Sequence, residues 1–119
     1  MEKTIYIDEQ PIRLKSSAGL PKRYKAQFRR DYFGDLLKLS KVFENRGKGT
    51  KVASATFEDL DHLDMDVIYD IIWTMAKTAD RNIPEPLEWL DEFEVFPLAE
   101  IMPQIQELIT GTMQKTKKK

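Results

Sequence analysis

Cysteine is absent from all 119 residues, which removes disulfides, thiolate zinc sites and a cysteine nucleophile at one stroke. Cysteine-free usage also suits a reducing cytoplasm. Histidine occurs once, at His62, between Asp61 and Asp64. These neighbours do not share a helix face with it, so no metal site is expected. No apolar run approaches the roughly 20 residues that span a bilayer, and the N-terminus lacks the apolar core of a signal peptide. The sequence predicts no membrane partner. Glycine is sparse: Gly47 and Gly49 follow no strand and precede no Lys-Ser/Thr pair, so no phosphate loop is formed. There is no GxSxG nucleophile elbow. Carboxylate pairs such as Glu92 with Glu94, or Asp66 with Asp70, are expected without function in so acidic a stretch. The inventory predicts a non-catalytic protein without a cofactor.

Charge of both signs is plentiful, and it is segregated. Residues 1–55 hold thirteen Lys/Arg against six Asp/Glu, residues 56–114 hold two against fourteen, and four of the last five residues are lysine. The net charge of −1 conceals the split. Opposed halves either neutralise each other within the fold or attract between copies, head to tail, which would build rings or helical assemblies. Both readings stand at this point, and self-association is an expectation of the second.

Apolar and polar residues alternate from Thr4 to Asp8 and again from Pro11 to Lys15, which reads as a β-hairpin with Ile5, Ile7, Ile12 and Leu14 inward. A two-stranded hairpin is marginal alone and must lie against a helix or a neighbouring subunit. After a break at Ser16, Ser17, Ala18 and Gly19, Tyr24, Phe28, Tyr32, Leu36, Leu39 and Phe43 recur at spacings of three or four. That spacing predicts one amphipathic helix of about six turns, started near Pro21 and carrying Gly34 inside. Residues 45–54 form a basic loop. A second long helix starts at Thr56, with Asp59 in the capping-box position, and carries Leu60, Leu63, Val67, Ile68, Ile71, Ile72, Met75 and Ala79 as one broad stripe. A short helix follows Pro84 and Pro86, and a last one runs from Pro97 to Gly111 with Pro103 inside it. The fold class is α+β, predominantly α: a hairpin, two long and two short helices. Residues 1–112 form one globular domain, and residues 113–119 a disordered basic tail.

Large apolar residues crowd the last third among acids: Trp89, Leu90, Phe93, Val95, Phe96, Leu98, Ile101, Met102 and Ile105. Either the aromatics close the core over the second long helix, or they form an exposed patch for a partner. Trp89, Phe93, Phe96 and Ile101 are the candidate partner-binding residues. A second candidate surface is cationic: Lys22, Arg23, Lys25, Arg29 and Arg30, with Tyr24 and Phe28 nearby. It supports an alternative function as a small nucleic-acid-associated regulatory protein. Against that alternative, the two aromatics lie on the apolar stripe, and the acidic second half repels nucleic acid.

Three segments together resemble the tail assembly chaperones of long-tailed, siphovirus-type phages and prophages of Gram-positive bacteria. They are Ile5-Tyr6-Ile7-Asp8 with Gln10-Pro11-Ile12-Arg13; Arg23-Tyr24 with Phe28-Arg29-Arg30-Asp31; and Glu88-Trp89-Leu90-Asp91-Glu92-Phe93 with the run from Glu100 to Ile105. Tyr69, Met75-Ala76-Lys77 and Ala79-Asp80 fit the same pattern. The resemblance covers residues 3 to 110. It implies a protein of the host cytoplasm, made during assembly and absent from the mature virion. Such a protein binds the tape measure protein, keeps it soluble, and hands it over as tail tube subunits polymerise, the tube protein being a further contact. The family often adds a longer form through a ribosomal frameshift, and the AAA or AAG codons of Lys117, Lys118 and Lys119 supply an A-rich run. The basic loop at 45–54 has no role in the family pattern.

Overall fold

The structure is a computed structural model that describes residues 1–46 and 65–117, with side chains for 1–39 and 66–109. Strands β1 (Glu2–Ile7) and β2 (Gln10–Lys15) pair antiparallel, with Ile5 opposite Ile12 and Ile7 opposite Gln10. Asp8 and Glu9 close the hairpin at φ 52° and 66°. Two successive left-handed residues define a type I′ turn, whose twist matches the strands even without the usual Asn-Gly. The alternation places Ile5, Ile7 and Leu14 in the core and Ile12 against it, as the sequence predicts.

Five helices follow among the described residues, so the chain is α+β and predominantly helical. They are α1 (Leu20–Phe28), α2 (Tyr32–Arg46), α3 (Met65–Ala79), α4 (Pro86–Leu90) and α5 (Leu98–Lys117). The expected six-turn helix is thus two helices. Arg29 turns left-handed at φ 63° and its N–H donates to Lys25 O at 2.8 Å, ending α1. Asp31 restarts the chain, its carboxylate accepting the Gly34 N–H at 2.8 Å as an N-cap. Gly34 leaves room for the cap, because a Cβ there would lie 3.1 Å from Asp31 Oδ2 and the carboxylate would have to give by a few tenths of an ångström.

Helix α3 is buried nearly all round from Val67 to Ala76 and is the centre of the domain. The hairpin lies over it, with β2 against α3 and β1 against α5, and α1 and α2 also pack on α3. The hairpin thereby gains the cover it requires. At the far end Lys77 Nζ donates to the carbonyls of Arg81 and Ile83, and Trp73 Nε1 to that of Pro84, fixing the turn into α4. The last helix does not stop at Gly111. It continues to Lys117, so residues 113–117 of the expected disordered tail are helical. One glycine costs about 1 kcal/mol in a helix, and cations near the C-terminus favour continuation through the helix dipole. Asn45 and Arg46, expected to open the basic loop, belong to the last turn of α2; residues 47–54 of that loop, the expected cap at Thr56 and Asp59, and His62 lie outside the described residues.

Candidate functional site

The aromatic block is interior. Trp89 and Ile101 are buried, Phe93 is 8% exposed, and Phe96 is half-buried against them. Trp89 meets Phe93 edge to face at 5.2 Å, Phe96 lies 6.4 Å from Trp89 and 6.1 Å from Phe93, and Tyr69 of α3 closes the cluster 5.2 Å from Phe96. Edge-on contacts of this kind suit aromatic quadrupoles. Of the two readings of Trp89, Phe93, Phe96 and Ile101, the arrangement is that of a core closing over the central helix.

A polar knot joins three helices. Between α1 and α2, the Arg30 guanidinium donates to Asp35 Oδ2 at 2.8 Å, to Asp70 Oδ2 at 2.7 Å and to the Tyr24 hydroxyl at 2.9 Å. Tyr24 itself donates to Asp35 Oδ2 at 2.6 Å. The guanidinium also lies over the Tyr24 and Phe28 rings at 5.6 and 5.8 Å, a cation–π geometry. The Asp35 hydrogen bond, acting against the desolvation of the guanidinium, raises the affinity of Arg30 for its proton. Burial alone would raise the Asp35 carboxyl, but the Arg30 and Tyr24 hydrogen bonds outweigh it and hold that group below its ordinary value. Burial, with the Asp35 contact, pushes the Tyr24 hydroxyl well above 10.0. These groups satisfy one another. Arg30 is therefore ion-paired and half-buried, whereas Lys22, Lys25 and Arg29 of the cationic face are exposed. The sequence reading missed this knot because Arg30 looks like one more member of a basic run.

A second set of contacts ties the two ends of the chain together. Gln104 of α5 accepts the Tyr6 N–H at 2.7 Å and donates to the Tyr6 carbonyl at 3.0 Å, so its amide plays the part of a missing neighbouring strand. That covers part of the β1 edge, which would otherwise stay open. Asp8 Oδ2 accepts the Glu94 N–H at 3.1 Å, and Arg13 donates to the Ala79 carbonyl at 3.0 Å.

What faces outward is apolar at a few places. Phe33 and Leu37, four apart on α2, are 40% and 48% exposed, and Leu87 and Val95 are 72% and 56% exposed. Among the described residues no group of His, Asp and Glu is arranged to hold a metal ion, and no helix is long and apolar enough to cross a membrane. No protein-family model matches the chain, and neither a curated protein nor a solved structure matches it.

Proposed function

We propose that the chain is a non-catalytic tail assembly chaperone of the siphovirus type, which binds the tape measure protein and keeps it soluble until tail tube subunits polymerise around it. The observation that carries the reading is where its motif residues meet. The opening segment touches the closing one through Tyr6 and Gln104. The middle segment meets the central helix through Arg30 and Asp70. The residues behind the resemblance are thus contact points of one scaffold, as expected of a pattern that records a fold.

With Trp89, Phe93 and Ile101 inside, the client surface in this reading is the stripe of Phe33 and Leu37 on α2. Residues at i and i+4 on a helix are the spacing by which one amphipathic helix grips another, and a tape measure protein is largely helical and apolar. In the nucleic-acid alternative Arg30, half-buried, is already engaged by Asp35, Asp70 and Tyr24. The test is co-expression with the very long helical reading frame beside the gene. The expected result is a soluble complex of the two from a client that is insoluble alone. A client that stays insoluble beside abundant folded chaperone would remove the reading.

A further inference from the structure

The charge segregation has a definite spatial outcome. Lys22 and Lys25 lie three apart on the side of α1 opposite its buried Leu20 and Tyr24, Arg29 follows as the left-handed residue that ends the helix, and all three are exposed. In residues 85–95, Glu88, Asp91, Glu92 and Glu94 are exposed around Leu87 and Val95. From Asn82 to Gln114 the sequence has no Lys or Arg at all. Opposite charges do meet across the two halves at Lys3–Glu107 and Arg30–Asp70. None of the three α1 cations and none of those four acids has an ion-pair partner among the described residues. Neutralisation within the fold therefore leaves both surfaces unused, although the Gln27–Glu85 hydrogen bond at 3.2 Å shows that α1 and the start of the acidic strip adjoin.

We propose that a second copy of this chain covers the strip: the outer face of α1 of one molecule docks on residues 85–95 of another. Lys22, Lys25 and Arg29 then stand opposite Glu88, Glu92 and Glu94, and the lysine stems lie over Leu87 and Val95. An apolar middle with a charged rim is the ordinary anatomy of a protein interface. Exposed ion pairs are individually weak, so the contact is salt-sensitive and concentration-dependent. The inference rests on charge and exposure and is independent of the chaperone reading.

Sedimentation velocity of the full chain tests it, at about 100 μM protein and about 10 mM ionic strength, where the Debye length is near 30 Å, and again near 1 M, where it is about 3 Å. The expected result is association at low salt and monomer at high salt. Lys22→Glu with Lys25→Glu is one variant, and Glu88→Lys with Glu92→Lys is the other. Each alone should dissociate at least about tenfold more readily, and an equimolar mixture of the two should associate again, because each now carries what the other lacks. Unchanged circular dichroism and melting temperature show that folding is not what was lost, and single Lys22→Gln and Glu92→Gln variants serve where a double variant does not fold. A monomeric wild type at low salt, a variant that associates alone as well as wild type, or a mixture that stays monomeric overturns the proposal. Loss of association on deleting residues 115–119 with α1 intact also overturns it, since the lysine tail would then be the cationic partner.

Discussion

Arg30 closes a run of five cations within nine residues, yet its guanidinium serves three acceptors on three different helices. Replacing it by Met leaves the buried Asp35 carboxylate with the exposed Lys38 ammonium at 3.9 Å as its remaining cation among the described residues, and a buried charge so weakly compensated is costly. Arg30→Met should destabilise by about 3 kcal/mol in urea unfolding, and Arg30→Lys should recover little, because a point charge cannot reproduce the planar fork. The knot also sets pH limits. Asp35 titrates below its ordinary 3.8 in the folded state, so its contribution is full above that value and lost as pH falls through the depressed one. At the alkaline end, burial raises the Tyr24 and Tyr32 hydroxyls above 10.0. The unfolded chain then releases these protons first, so stability is full below pH 10 and declines as pH rises beyond it. Tyr32 adds a feature of its own, a buried hydroxyl without a hydrogen-bond partner among the described residues. Tyr32→Phe should therefore raise stability by about 1 kcal/mol and weaken the alkaline decline, both read from urea midpoints between pH 7 and 11.

At the scale of elements, the hairpin and the central helix were legible from periodicity, and the break between α1 and α2 was not. Tyr24, Tyr32, Leu36 and Leu39 all reach the core on both sides of the interruption, so the period that suggested one helix survives its division. The local signal was present in Asp31 followed three residues later by Gly34, an N-cap and the small residue beneath it. Asp31→Ala should cost about 1 kcal/mol. Gly34→Ala discriminates further. Helix propensity alone favours it by about 1 kcal/mol, but the added methyl would crowd the capping carboxylate at 3.1 Å. No net gain in melting temperature is expected, whereas a clear gain would show that the cap does not depend on Gly34. The Gln104 clamp was equally out of reach, because nothing in a helical glutamine announces a strand edge 98 positions away.

For the whole molecule, the aromatic-rich last third was read two ways, and burial assigns most of it to the core. Short apolar segments among acids look alike whether they face inward or outward, since only the path of the chain decides which side α3 occupies. Trp89→Ala should cost about 3–5 kcal/mol, whereas Phe33→Ala and Leu37→Ala, at exposed positions, should each change stability by less than about 0.5 kcal/mol. This difference separates scaffold from surface and makes the functional claim measurable. The most direct test is isothermal titration of the purified chain with a soluble helical fragment of the tape measure protein, comparing wild type with the Phe33→Ala/Leu37→Ala double variant at matched melting temperature. The account predicts saturable binding with a negative heat-capacity change, the mark of buried apolar surface, weakened at least about tenfold in the double variant, as loss of roughly 1.4 kcal/mol would give. Absence of binding by the folded wild type, or a double variant that binds as tightly, would contradict it.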